Sequence, residues 1–432
     1  MTEQWVATRR LADVRTGKIV NSEPSSPADV EAPYVTAANV QPLGRVIEVE
    51  GKSMWFTPKE LAGSCGIRGG DLLVVEGGAG FGRPGIVPDD FNGWGFQNHI
   101  NRIRPRDDLA DTRFLYYAFE HLLSSGQTAV VAQGATLPTL SSEKVRALRV
   151  PYLTRERQRE VACFLDHQTT QIDEVIEAQR ELATVLEERR LAVIRRAVTR
   201  GIDGDASLAE SGVKWLGGVP SHWQVGNIRR FALMKSGHTP SRQAAEYWVD
   251  CNIPWFTLAD VHQIRSGRAV YLGDTTDQIS RVGLANSAAE LLPTGTVVLS
   301  RTASVGFSGI MPQPMATSQD FWNWVCGPDL TPEYLLFVFR AMAQEWQALR
   351  MGSTHQTIYQ GDAAAISIPV PPLTEQHAIV AHVRQQMART DDMIDAANQA
   401  IALMRERRAA LISAAVTGRI DPRTGLEREV QG

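Results

Sequence analysis

The feature that most restricts what this chain can fold into is an internal duplication. Shifted against itself by 218 residues, the sequence aligns residues 134–203 with 352–421 without a gap, and 20 of those 70 positions are identical. Chance at ordinary residue frequencies gives about one in fifteen. The matches include Pro151 and Pro369, Gln158 and Gln376, Asp173 and Asp391, Arg190 and Arg408, and Val198 and Val416. Trp5 and Trp223 are also 218 apart, and Arg9-Arg10 and Gly17 return, slightly shifted, as Arg229-Arg230 and Gly237. The 432 residues therefore read as two copies of one unit. A period this long means duplicated domains, because solenoid repeats run about 20–50 residues.

Each copy has two parts. The first (roughly 1–150, then 220–370) is rich in Gly, Pro and aromatic residues and carries short β-type runs, Gly70–Val75 in one copy and Gly295–Ser300 in the other. Each run leads through a turn to a second short strand, Gly85-Ile86-Val87-Pro88 or Gly309-Ile310-Met311-Pro312, and then to a helical segment, Thr112–Ser124 or Pro332–Leu349. This predicts an α+β domain. The second part has no Pro or Gly from Thr154 to Thr199, and Val161, Leu165, Ile172, Val175, Leu182, Leu186 and Val193 recur in steps of three, four and seven. Ile379, Val383, Met393, Ala397, Ala400, Met404 and Leu411 form the partner seam. Heptads sustained this long predict a coiled coil between the two helices, each about 70 Å long. Both helices stop at one signature, Ala197-Val198-Thr199 to Asp203 and Ala415-Val416-Thr417 to Asp421.

Charge and composition narrow the function. Lys and Arg number 44 against 48 Asp and Glu, so nucleic acid would have to be bound by local patches rather than a global field. No stretch of about 18 or more uncharged apolar residues is present to cross a membrane, and the first residues lack the apolar run of a signal peptide. The four cysteines are scattered with no Cys-x-x-Cys pair, which fits a reducing cytoplasm and neither a disulfide framework nor a zinc-thiolate site.

Motifs for catalysis fail in context. Gly80-x-Gly82-x-x-Gly85 matches the dinucleotide fingerprint, but Pro84 and Pro88 stand where its helix should begin, so a glycine hairpin is expected. Gly51-Lys52-Ser53 has Val46 where a phosphate-binding loop needs glycine. Asp29, Glu50 and Lys52 form a loose nuclease-like trio that could hold magnesium, a common coincidence in a chain with 48 acids. What remains is polar chemistry on aromatic-flanked loops: Ser300-Arg301-Thr302-Ala303-Ser304 and Thr317-Ser318-Gln319-Asp320-Phe321-Trp322 in the second copy, Gln97-Asn98-His99 in the first. Arg pairs bidentately with guanine, and Gln or Asn with adenine, in the major groove. The plainer alternative is that these side chains complete turns.

In order and in duplicate, several strings make the chain resemble the DNA-specificity subunits of type I restriction–modification systems, over essentially its whole length. They are Pro371-Pro372-Leu373-Thr374-Glu375-Gln376 opening the second helix, Glu188-Arg189-Arg190 and Glu406-Arg407-Arg408 late in each helix, the Ala-Val-Thr endings, Lys214-Trp215-Leu216-Gly217 and Thr317-Ser318-Gln319-Asp320. The first copy departs from the pattern: Arg157 stands where the second has Glu375, and Gln97-Asn98-His99 replaces Ser-Gln-Asp.

The resemblance implies two α/β target-recognition domains (1–153 and 204–371) joined by two long helices (154–203 and 372–421) that pair as an antiparallel coiled coil, pseudo-two-fold symmetric, with a tail at 422–432. Each domain would read one half of a bipartite site in double-stranded DNA, and the helices would set the gap. The candidate DNA contacts are Arg301, Ser304, Ser318, Gln319, Arg242 and Thr354 in the second domain and Arg83, Gln97, Asn98 and Thr136 in the first. Arg102, Arg104 and Arg265 are further candidates for phosphates. Gln158, Arg189, Arg190, Gln376, Arg407 and Arg408 are candidates for docking two methylation subunits. The chain itself would be non-catalytic and free of cofactors. S-adenosylmethionine, ATP and magnesium would belong to the methylation subunits and to a motor-nuclease restriction subunit. The rivals are a DNA endonuclease built on Glu50 and Lys52 and a scaffold with no DNA role.

Overall fold

The computed structural model describes residues 4–49, 51–106, 108–132, 138–351 and 357–427. The chain forms two compact units, 1–179 with 399–432, and 180–398. Each holds one β-rich domain and its own stretch of both long helices, Arg155–Arg200 and Leu373–Val416.

In the first unit the strand Leu72–Val75 is buried at every residue. It lies antiparallel between Ile100–Pro105 and Pro84–Ile86, with Ala12–Thr16 and Gly44–Arg45 at the edges. A smaller sheet sets Val30–Val35 between Ser53–Phe56 and Gly95–Phe96. The second unit repeats the order: Val297–Ser300 lies between Phe321–Cys326 and Ser308–Ile310, with Ala232–Ser236 outside. There Ile253–Phe256 lies between Asp277–Ile279 and Ala316–Thr317. The glycine motif at 80–85 is accordingly a hairpin, with Leu73 opposite Gly85. One helix covers each larger sheet, Thr112–Ser124 in the first unit and Pro332–Ala341 in the second, and buries Phe114, Leu115 and Phe119 or Leu335, Leu336 and Phe339.

The matched glycines Gly17 and Gly237 show why the duplication persists in such detail. A Cβ on Gly17 would lie 2.3 Å from the carbonyl oxygens of Phe96 and Gln97, and one on Gly237 2.1 Å from that of Ser318. Both admit a neighbouring strand closer than any side chain allows.

Within each unit the two long helices run antiparallel. In the first, Ile172 and Ile176 pack on Ile401, while Arg157, nearer the start of one helix, reaches Asp421 beyond the end of the other. In the second, Ile194, Ala197 and Val198 share a core with Ile379, Val383 and Met387. The seam differs from the expected one. Val175, Leu182 and Met393 are exposed, and Ile176, Ile194, Ile394 and Ile401 take the inner positions. A search for apolar residues alone missed the register because the true seam includes polar groups: Thr169 and Thr390 are buried on it, and Asp173, Arg190, Asp391 and Arg408 form ion pairs along it.

Candidate nucleic-acid interface

In the second unit the strand Val297–Ser300 delivers Arg301 to the sheet's end. Its backbone is fixed on both sides: the Arg301 N–H donates to Asp320 O at 2.9 Å, and Ile358 N–H donates to Arg301 O at 2.9 Å. The guanidinium carbon stands 4.4 Å from the Trp322 ring centroid, a cation–π stack. Trp322 is itself held, its indole donating to Ile358 O at 2.9 Å. The carboxylate of Asp320 accepts from Thr302 Oγ1 at 2.6 Å and Ser318 Oγ at 2.9 Å. Gln319 is exposed between them and accepts from Thr239 Oγ1. Arg301 Nε is buried with no hydrogen-bond partner among the described residues. The result is a cation aligned on an aromatic face, beside an exposed amide. That arrangement can present donors to a base edge or a phosphate.

The turn that follows is strained. Ala303 has φ 53°, a region that disfavours a side chain, and Ser304 N–H turns back on Thr302 O. Ser304 is half-buried in this turn.

The first unit repeats the frame with other side chains. Glu76 N–H donates to His99 O at 2.9 Å and Leu140 N–H to Glu76 O at 2.8 Å, so Glu76 occupies the place of Arg301 and His99 that of Asp320. Asn101, in the place of Trp322, donates to Leu140 O at 2.7 Å. Gln97 and Asn98, both half-buried, match Ser318 and Gln319. Burial raises the Glu76 carboxyl above the usual carboxylate range, against the opposing charges of His99 and Lys144. Gly78, at φ 72°, supplies what Ala303 supplies under strain.

Several expected contacts change role. Ser318 is buried and spends its hydroxyl on Asp320. Arg83 donates to the backbone oxygens of Val40 and Ala79, at 3.0 and 3.5 Å, and so ties its hairpin to the loop before Gly44–Arg45. Arg102 is buried on Gly63 O and Gly66 O, and Arg104 makes a two-point pair with Asp71 at 2.7 Å, so neither reaches a phosphate. Asp29 accepts from Ser25 and Ser26 N–H as a turn cap, which removes it from the nuclease-like trio. Arg242 is exposed, with its guanidinium 5.8 Å over the Trp248 ring. Thr136, Thr354 and Glu50 lie outside the described residues. Among the described residues no group of three or more His, Cys, Asp or Glu is placed to hold a metal ion.

The duplicated glutamines are structural too. Gln158 is fully buried: its oxygen accepts from Asp111 N–H at 2.8 Å, and its amide donates to Leu109 O and Leu153 O at 3.0 and 2.9 Å. Gln376 does the same with Thr331 N–H, Asp329 O and Pro371 O, at 2.8, 2.8 and 2.9 Å. Each staples the first turn of a long helix to the loop before a domain helix, so neither is open to a partner. Arg190 and Arg408 are likewise spent inside the chain, on Asp391 at 3.0 Å and on Asp173 and Glu120 at 3.0 and 3.1 Å. Arg189 and Arg407, one residue earlier, are exposed. The substitution at 157 also has a local reason: Glu375 accepts from Trp223 Nε1 at 2.9 Å, whereas Arg157 pairs with Glu160 at 2.7 Å.

Sequence reasoning passed over Glu76 and Thr239. The 218-residue shift drifts inside the domains, but aligning the paired strands 70–75 and 295–300 puts Glu76 directly on Arg301.

Fold and interface together define a duplicated pair of β-rich domains, each built onto two long helices. A family model of the type I restriction modification DNA specificity domain matches residues 220–402. The type I restriction enzyme MjaIX specificity subunit of Methanocaldococcus jannaschii is 26% identical over 182 residues, 42% of this chain and 40% of that protein. The type I restriction enzyme HindI specificity subunit of Haemophilus influenzae is 21% identical over 361 residues, 68% of this chain and 76% of that protein. A chain solved in work on complex assembly and conformational transition of the type I R-M system superposes with a TM-score of 0.72 at 18% identity, covering 96% of this chain and 97% of that one. The HsdS subunit from Thermoanaerobacter tengcongensis superposes at 0.51 and 16%, with coverage of 96% and 97%. Residues 220–402 thus match the type I restriction modification DNA specificity domain, and the chain is similar in sequence to specificity subunits of type I restriction enzymes and shares the fold of the HsdS subunit.

Proposed function

We propose that this chain is the non-catalytic DNA-reading subunit of a type I restriction–modification complex. Each β-rich domain reads one half of a bipartite site in double-stranded DNA. The two long helices set the gap and dock two methylation subunits. S-adenosylmethionine, ATP and magnesium serve the methylation and motor-nuclease subunits. The observation that carries the reading is the Arg301–Trp322 stack on a fixed backbone frame, with Glu76 in the same frame of the other domain.

The chemistry suits two different half-sites. A guanidinium reads guanine O6 and N7, and a carboxylate accepts from cytosine N4. Gln319, Asn98 and Gln97 stand beside these positions as amide readers, and Ser304 shapes the turn next to Arg301. Acids slightly outnumber bases in both domain stretches, 17 to 16 over 1–150 and 13 to 11 over 204–371, so much of the phosphate contact falls to the partner subunits. Weak, strongly salt-dependent binding by the lone chain follows. The exposed apolar side chains on the helices, Leu182, Val185 and Leu403, with Arg189 and Arg407, supply docking surface.

The test is a methylome. The chain is co-expressed with its methylation subunit in a host without DNA methylation, and N6-methyladenine is mapped. A bipartite motif with one fixed gap, lost when this chain is omitted, is the expected result. Methylation that persists unchanged without the chain would end the reading.

A further inference from the structure

The two junctions between domain helix and long helices share one plan with one charge reversed. In the first unit Glu120, nine residues after the helix cap Asp111, reaches Arg408 at 3.1 Å, and Asp173 completes the pair at 3.0 Å. In the second unit the same step from Thr331 leads to Arg340. Arg190 takes Asp391 at 3.0 Å, and Arg268 shares that carboxylate at 3.5 Å. The Arg340 guanidinium donates to Gly267 O at 2.7 Å and to Ala269 O, which orient it without neutralising it. Burial, with the charge of Arg190 behind it and against the opposing charge of Asp391, pushes its pKa down to about 10. Asp391 acts on Arg340 from beyond ion-pair distance and is already shared by Arg190 and Arg268, so among the described residues no carboxylate pairs directly with this partly buried charge, which is costly.

Beside Arg340 lies a cavity of about 270 Å³, walled by Ile264, Phe307 and Trp346, with Arg265 and Ser308 on its polar side. Ser308 is 3% exposed, and its hydroxyl has no hydrogen-bond partner among the described residues. We propose that this cavity binds a small aromatic anion, its carboxylate on Arg340 and its ring between Trp346 and Phe307. The anion does in the second unit what Glu120 does in the first. A guanidinium held by two carbonyls keeps further N–H groups for a carboxylate. Aromatic walls favour a flat ring. The size fits a small ligand rather than a peptide.

The test is calorimetric titration of the full-length chain with indole-3-acetate and with neutral indole-3-acetamide. Saturable one-site binding of the acid is expected, with the amide at least about tenfold weaker, as loss of a charged hydrogen bond implies. Arg340→Gln should lose the binding. Ala343→Leu, which narrows the cavity and keeps every arginine, should lose it too and covers the case in which Arg340→Gln does not fold. Equal binding of acid and amide, acid binding that survives Ala343→Leu, or no saturable binding up to about 10 mM overturns the proposal. So does displacement of the acid by a random-sequence DNA duplex, which would assign these arginines to phosphates.

Discussion

At three matched positions the first unit and the second carry side chains of opposite character: Glu76 against Arg301, His99 against Asp320, and Glu120 against Arg340. At the matched staples they carry the same one, Gln158 and Gln376. The difference follows from what each side chain touches. The glutamines bind backbone groups, which every sequence possesses, so no substitution elsewhere can compensate for their loss. The charged positions touch other side chains or face outward, and can change sign once their neighbours change. The second unit even tolerates Ala303 at positive φ where the first has Gly78.

The largest effects should fall on what is shared. Gln158→Ala and Gln376→Ala each leave three backbone groups, mostly part-buried, without this partner, at about 1–3 kcal/mol per group, so losses of roughly 3–9 kcal/mol are expected in urea unfolding. A loss confined to one of the two would break the equivalence of the units.

Next come the junctions, where the comparison predicts asymmetry. Arg408→Met removes the part-buried ion pairs to both Asp173 and Glu120, and should cost about 3–5 kcal/mol. Arg190→Met leaves Asp391 with Arg268 and relieves the repulsion on Arg340, so a loss of only about 1–3 kcal/mol is expected. Equal costs in parallel thermal scans would contradict the charge reversal.

At the proposed reading surface, Arg301→Ala in the assembled complex should weaken recognition of one half-site by about 1–3 kcal/mol, roughly 5–150-fold in methylation rate, and leave the other half-site's preference intact. Loss of preference at both halves would mean that the domains do not read independently. A smaller effect of opposite sign is expected from Ala303→Gly, which relieves the positive φ and should stabilise the second unit by about 1 kcal/mol.

The smallest effect is a pH dependence particular to the first unit. Burial raises the folded pKa of Glu76, so the folded state favours its neutral form. That contribution is full below the ordinary carboxylate range and is lost as pH rises through the raised pKa. Glu76→Gln should flatten stability against pH over that interval. An unchanged profile would place the carboxyl in open solvent.

Much of the architecture was legible in the sequence because it rests on periodicity. Two copies, two long helices free of Pro and Gly, and paired short strands all repeat at spacings that backbone geometry imposes. The hairpin at 80–85 could be told from a nucleotide loop by Pro84 and Pro88 alone, since proline forbids the helix that loop requires. The helix seam was only partly legible. Ile176 and Ile394 were displaced in the sequence reading by Val175 and Met393, because hydrophobicity distinguishes neighbouring residues poorly and the polar members of the seam carry no apolar signal.

The sequence by itself determined that the chain is a doubled unit, where its two long helices start and stop, and that its catalytic-looking motifs lack the context they need. Only the tertiary structure decided what each polar side chain does. Arg83, Arg102, Arg190 and Arg408 read alike in sequence with Arg301, yet all four are committed to carbonyls or carboxylates brought to them from up to hundreds of residues away. Arg301 is set apart by Trp322, which the neighbouring strand brings alongside it. Charge and hydrogen-bonding capacity are properties of a residue, but whether they remain available depends on partners that only folding supplies.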